Sequence, residues 1–371
     1  MNTPSKTVYF LGAGFSKAVA DLPTMGEFFN MKEIKKKHKN IKEFIKKYFS
    51  IKMKQIKRKQ KRKGENLLNL EEMITYLYLR LDNFGRFGED IDASILKAKN
   101  EIYQYILTKL SPQNVDDQGI VTEDKDTKKI KRLGKPVYKY NDKISKKKLI
   151  DFFRNVNSVI TINYDLIIES LLPEVSCNQK GYSFHPFLER LWEKILWPDL
   201  EKPFCEEVDK GVFLKLHGSI DWLYCPNKLC PYHSDIYPLA LNKEKYDKFF
   251  GGSYKNIGNL LYCASCGSKL EVVIVPPVMQ KAFEKWPKLA LIWTIARKKL
   301  SEVDKIVIIG VSFAPSDYYL RWLFKSAIAS RKNKPIIEVV DERENVCNAV
   351  EKITGVKPEY KGKFEKYLKG C

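Results

Sequence analysis

The stretch Val8 to Pro23, VYFLGAGFSKAVADLP, constrains the fold of this chain more than any other. Val8, Tyr9, Phe10 and Leu11 form a short apolar run stopped by a glycine, the pattern of a parallel strand covered on both faces. Gly12 and Gly14 follow, and then a helical pattern. In such a turn the backbone N–H groups of Gly12 and Gly14 can approach an anion, and Ser16 adds a hydroxyl where the helix dipole favours negative charge. The full G-x-G-x-x-G spacing would need glycine where Lys17 stands. The turn alone therefore does not separate a phosphate cradle from an ordinary strand-to-helix connection.

The later chain repeats the alternation. Strands are expected at Ser158 to Ile162, ending in Asn163-Tyr164-Asp165, and at Val212 to Leu216, ending in His217-Gly218. Others are expected at Glu271 to Val275, stopped by Pro276 and Pro277, at Lys305 to Ile309, ending in Gly310-Val311-Ser312, and at Ile336 to Val340, a last strand ending at Asp341. Helical patterns fill the intervals at Lys147 to Arg154, from Leu166, from Lys281 to Leu300, near Asp317 and after Asp341. In an open parallel sheet the ligand crevice lies outside the carboxyl ends of the strands. Gly12 to Ser16, Asn163 to Asp165, His217, Ser312 and Asp341 are thus expected to converge on one site.

The 371 residues, 44% of them hydrophobic, suffice for one large core or two smaller ones. No apolar run is long enough to span a bilayer, and the chain enters a strand within a few residues without a signal-peptide pattern. A cytoplasmic protein without membrane contact is expected.

The formal charge of +21 is concentrated. Met31 to Glu65 carries 16 Lys and Arg against 3 acids, and Glu123 to Lys148 carries 11 against 4, so these two blocks hold +20 of the total. Both fall between the first strand-turn-helix and the next strand, a region read for the most part as an insertion over residues 31–144. Within it, Lys32 to Lys63 shows a rough helical stripe, and Asn66 to Phe84 and Ile91 to Leu110 read as helices. Ser111 to Asn141 reads as a long loop, and Glu71 and Glu72 as a solvated helix edge. A dense cationic face of this kind suits a polyanion or nucleic acid, with few aromatic residues placed for base stacking.

Cys225 and Cys230 are spaced C-x4-C, and Cys263 and Cys266 C-x2-C. Without a secretion signal, two closely spaced pairs on separate knuckles predict a structural tetrahedral zinc site rather than disulfides, with His233 a weaker alternate ligand.

GAGFS with a following Leu22-Pro23, TINYD (Thr161 to Asp165), KLHGS (Lys215 to Ser219), the four cysteines directly after it, GVSF (Gly310 to Phe313) and VVD (Val339 to Asp341) stand in an order that resembles the sirtuin-like NAD-consuming family, from Val8 to about Val350 outside the insertion. The resemblance implies a Rossmann-like parallel sheet over residues 1–30, 145–222 and 271–371, with a helical basic insertion and a small zinc-ribbon module at 223–270. It implies NAD as substrate and zinc as structural metal. Gly12, Ala13, Gly14, Ser16 and Pro23 would bind the pyrophosphate and adjoining ribose. Asn163 would hold the nicotinamide ribose and any attacking water, Asp165 the carboxamide, and His217 would act as general base. Gly310 and Ser312 would bind phosphate or the adenosine ribose, and Asp341 the adenosine end.

The chain departs from the protein-deacylating members of that family. Asp21-Leu22-Pro23 is followed by Thr24-Met25-Gly26 where they carry Phe-Arg, their glutamine is Ile162, and their Phe-Gly-Glu stretch is Val275-Pro276-Pro277. These features look like the divergent prokaryotic branch, several of whose members hydrolyse NAD in defence against phage. Hydrolysis of NAD to nicotinamide and ADP-ribose is therefore expected, with NAD-dependent protein deacylation as the alternative, and a non-catalytic ADP-ribose or nucleotide sensor in contact with nucleic acid as a third. A homo-oligomer is compatible with each.

Overall fold

The computed structural model describes residues 7–49, 70–83, 93–114, 136–154, 156, 158–176, 212–233, 235–238, 262–263, 265–276, 283, 286–329 and 331–370. The first strand, β1 (Thr7–Leu11), runs into helix α1 (Ala13–Ala20) with Gly12 as its N-cap. The inserted helices follow as α2 (Met31–Lys37), α3 (Lys39–Tyr48), α4 (Leu70–Tyr78) and α5 (Ala93–Leu110), with a π-helical turn at Leu79–Asn83 after α4. The expected stripe over Lys32 to Lys63 is thus two short helices meeting at His38, and its part beyond Phe49 lies outside the described residues. The expected loop from Ser111 begins and ends in a two-residue antiparallel ladder, β2 (Gln113–Asn114) with β3 (Pro136–Val137).

The alternation then resumes with α6 (Lys146–Arg154), β4 (Ser158–Thr161), α7 (Ile167–Ser176) and β5 (Phe213–Lys215). A smaller antiparallel sheet comprises β6 (Gly218–Tyr224), β7 (Ile236–Pro238) and β8 (Glu271–Ile274), in the order β7-β6-β8. Next come α8 (Pro287–Glu302), β9 (Lys305–Ile309), α9 (Tyr318–Ile328), β10 (Ile336–Val340) and α10 (Val346–Thr354). Helix α8 begins at Pro287, since proline has no N–H to leave unpaired at the first helical position, and the expected start near Lys281 lies outside the described residues. Ile336 to Val340 is not the last strand, since β11 (Glu359–Gly362) and α11 (Phe364–Gly370) follow.

The main sheet has the order β11-β10-β9-β1-β4-β5, and each pairing in it is parallel. Alternate residues serve opposite faces. Val8, Phe10, Ile160, Leu214, Ile306, Ile308, Ile337 and Val339 belong to a core completed by α8, α9 and α10. Leu11, Val159, Phe213, Val307, Ile309 and Val340 belong to the other, with α1, α6, α7 and α11. That second core also takes in Ile34, Ile41, Phe44, Leu70, Ile74, Ile102 and Ile106, so the inserted helices pack with the sheet-covering layer. Strands β4 and β5 extend from β1 to one side and β9, β10 and β11 to the other. The order in which strands are added reverses between β1 and β9, which opens a crevice at their carboxyl ends. No helix among the described residues is long and apolar enough to cross a membrane.

Candidate active site

At the switch point the backbones of three glycines meet. A Cβ on Gly12 would lie 2.5 Å from the Gly310 carbonyl oxygen, and one on Gly14 2.6 Å from the Gly310 Cα. The N–H of Gly12 donates to Ile309 O and that of Gly14 to Gly310 O, both at 2.9 Å, and Phe15 N–H donates to Gly12 O. The expected use of the Gly12 and Gly14 N–H groups as an anion cradle is corrected here. Both are committed to carbonyls, and the glycines serve the close approach of the turn to the end of β9. What α1 offers a ligand is Ala13 and Ser16, which line the adjacent cleft, with the helix dipole behind them.

That cleft encloses about 740 Å³ with its open mouth included. Of the expected site residues, Ala13, Ser16, Pro23, Asn163, Asp165, His217, Gly310 and Ser312 line it together. Asp341 does not. It sits one strand further out, where its Oδ1 accepts from the backbone N–H (2.9 Å) and Nε (3.2 Å) of Arg343.

Asn163 Nδ2 donates to Gly12 O (2.9 Å) and Ser16 Oγ (2.8 Å), and its Oδ1 takes part in neither bond. Ser16 Oγ in turn donates to Asp165 Oδ2 at 2.6 Å, a charge-assisted length. Asp165 Oδ1 accepts from Ile167 N–H at 3.1 Å and so also caps α7. Gly12, Ser16, Asn163 and Asp165 thus form one buried polar network, which fixes the Asn163 amide.

Behind it is a feature the sequence reading missed. Lys215, buried at the end of β5, donates from Nζ to the Asp165 carbonyl and lies 2.7 Å from Glu169 Oε1. Burial pushes the Glu169 carboxyl up to about 7 from 4.5, against the pull of Lys215. Because the folded protein holds this proton more tightly than the unfolded chain, the associated stability is full below pH 4.5 and lost as pH rises to about 7. Glu169→Gln should flatten that slope in a series of melting temperatures from pH 4.5 to 7.5, whereas an unchanged slope would assign it elsewhere.

His217 stands between β5 and β6, buried between the rings of Trp293 (centroids 6.0 Å apart) and Tyr164 (6.3 Å). Trp293 Nε1 donates to Leu216 O at 2.8 Å, and Val275 N–H to His217 O at 2.9 Å, which anchor the backbone on both sides. The His217 Nε2 atom lies 3.1 Å from Asp317 Oδ2, an ion-pair contact. Burial holds the Tyr164 phenol well above its ordinary value, so it remains a donor, to Val275 O at 2.9 Å. Glu71 is not a solvated edge. It lines the cleft from the inserted helix α4 and accepts from Ser316 Oγ at 3.1 Å.

Cys225, Cys230, Cys263 and Cys266 form the second constellation. Their sulfurs all lie within 4.8 Å of one another, with Cys225–Cys266 at 3.5 Å and Cys230–Cys263 at 3.6 Å. A tetrahedral zinc with Zn–S bonds of about 2.3 Å separates its sulfurs by roughly 3.8 Å, so the four thiols fit a closed, structural zinc site. The cluster comprises the four cysteines without His233, whose Nδ1 is 2.9 Å from Cys225 O. Metal analysis should find about one zinc per chain. Cys263→Ser should lower the melting temperature, because structural zinc contributes its binding energy to folding. A metal-free preparation of undiminished stability would contradict this.

No protein-family model and no curated protein matches the chain. Among solved structures it is similar to a Sir2 homolog–NAD complex, at 13% identity over 99% of this chain and 88% of that one, with a TM-score of 0.43. A structure of Sir2Tm bound to a propionylated peptide gives 13%, 99%, 92% and 0.42, and one concerned with the mechanism and regulation of Sir2 enzymes 15%, 98%, 90% and 0.41.

Proposed function

We propose that the chain is a sirtuin-like enzyme that cleaves the nicotinamide–ribose bond of NAD and passes the ribosyl carbon to water, giving nicotinamide and ADP-ribose. The observation that carries this proposal is the convergence of Ser16, Asn163, Asp165 and His217 on one cleft at the switch point of a parallel sheet. The cleft suits a dinucleotide: it lies beside the N-terminus of α1, and it is lined in part by the backbone of Gly310. The pyridinium of NAD is a leaving group that departs neutral, so little acid assistance is needed. The protein has to orient the sugar, hold the carboxamide and control the nucleophile. Asn163, fixed through Nδ2, has Oδ1 for a ribose hydroxyl or a water. Asp165 keeps the carboxamide in register, and His217 accepts the proton of the attacking group.

Water is favoured over an acyl-peptide by the segment after β8. An extended peptide adds to a sheet through free backbone donors and acceptors. Here Val275 N–H is taken by His217 O and Val275 O by Tyr164, while Pro276 and Pro277 have no N–H to give. Chromatography of NAD incubated with the protein should show nicotinamide and ADP-ribose rising in step. Binding without turnover would instead support a sensor.

Antiviral defence is the proposed setting, with a polyanion as partner. Lys32, Lys35, Lys36, Lys37, Lys39, Lys42, Lys46 and Lys47 are all exposed on α2, α3 and their junction, and Ile34, Ile41, Phe44 and Ile45 hold those helices on the core. Changing Lys35, Lys36, Lys42 and Lys46 to Gln should weaken binding to duplex DNA or RNA and reduce its salt dependence, with folding intact. An unchanged salt slope would leave the lysines as surface composition only.

A further inference from the structure

Asp317 is buried, lies in the cleft lining, and has both carboxylate oxygens engaged. Oδ1 accepts from Leu320 N–H at 3.2 Å and caps α9, while Oδ2 is 3.1 Å from His217 Nε2. The loop that carries it is held in place. Gly310 and Phe313 have positive φ (64° and 49°), Asp317 N–H donates to Ala314 O at 3.0 Å, and Ser316 Oγ donates to Glu71 at 3.1 Å. Phe313 is buried and packs edge-on against Phe324. A non-glycine residue in the left-handed region costs energy that the surrounding packing must sustain.

We infer that Asp317 is a positioning residue for His217. Fixed at a helix N-terminus, its carboxylate stands in ion-pair contact with Nε2, holds the imidazole between Trp293 and Tyr164, and favours the protonated ring. The roles are balanced: the proton leaves the attacking hydroxyl or water and enters the imidazole, and the resulting imidazolium is stabilised by Asp317, which stays ionised. The mechanistic half rests on the reading of the cleft as the NAD-cleaving site. The positional half rests on the geometry alone. Among the described residues that line this volume, the other ionisable groups are Tyr164, whose hydroxyl is on Val275 O, Asp165, tied to Ser16, and Glu71, tied to Ser316. Among the carboxylates of the described cleft residues, Asp317 is the one in ion-pair contact with the ring.

Asp317→Asn is the informative change, because asparagine caps a helix as well as aspartate does and the fold should persist. Its amide cannot neutralise an imidazolium. Two readouts on the full chain separate the possibilities. In NMR of protein carrying ¹³C-labelled histidine, with the His217 signal assigned by its loss in His217→Gln, the His217 titration should move down by about one unit or more in Asp317→Asn. In NAD turnover, kcat should fall by about 10²-fold with KM little changed, and Asp317→Glu should recover part of the loss. A His217 titration that does not move in a variant of unchanged melting temperature overturns the inference. Absence of NAD cleavage in the wild-type protein, with the titration shift present, would overturn the proposed function and leave the pair standing.

Discussion

Gly310→Ala is expected to cost about 4 kcal/mol or more of stability, enough to leave little folded protein. Two effects add. Gly310 has φ +64°, where a side chain costs roughly 1–2 kcal/mol. Its Cβ would also stand 2.3 Å from Phe15 N and 2.4 Å from the Gly14 carbonyl carbon. These are backbone atoms of α1 that cannot rotate away. Relief requires the turn after β1 to part from the end of β9, which breaks the bond from Gly14 N–H to Gly310 O. Gly355→Ala is the control, since Gly355 caps α10 at φ +70° with open space around it, and should show the conformational cost alone, about 1 kcal/mol. Denaturation midpoints of the two variants test this. Equal losses would mean that the contact at the switch point is not tight.

His217→Gln and Asn163→Ala are each expected to reduce NAD cleavage by roughly 10²-fold or more. The two losses should differ in kind. Glutamine keeps bulk between Trp293 and Tyr164 but accepts no proton near neutrality, so the protein should remain folded and bind NAD. Asn163→Ala also releases Gly12 O and Ser16 Oγ from Nδ2, so the loss of activity should come with about 1–3 kcal/mol of destabilisation. Melting temperatures beside single-turnover rates would check both. Retained cleavage in His217→Gln would remove His217 as the base.

The parallel strands were legible because a strand buried on both faces is a short aliphatic run, and Lys305–Ile309 and Ile336–Val340 have the bounds their composition implies. The cleft residues were legible because parallel strands deliver their carboxyl ends to one side of a sheet. What stayed hidden depends on tertiary neighbours. Asp317 reads as a helix start, and its cap bond is real, but nothing in its surroundings along the chain announces that its second oxygen meets His217. Lys215 looks like any lysine at a strand end until Glu169 and the Asp165 carbonyl enclose it. Glu71 lies on an amphipathic helix whose docking angle decides whether it meets solvent or cleft. The Gly12 and Gly14 N–H groups looked available to an anion because the carbonyls of Ile309 and Gly310 that take them are some 300 residues away in the chain. The sixth strand of the main sheet, β11, was hidden because Glu359–Gly362 is a polar edge strand without an aliphatic run.

The acceptor of the ribosyl group tests the central claim most directly. Purified protein should be incubated with NAD alone, with an acetyl-lysine peptide, and with duplex DNA or RNA, and the products quantified. The proposed function predicts nicotinamide and free ADP-ribose in equal amounts without peptide, and no change in yield or product when peptide is added. Turnover strictly dependent on the acetylated peptide, with deacetylated peptide and acylated ADP-ribose formed in step with nicotinamide, would contradict it.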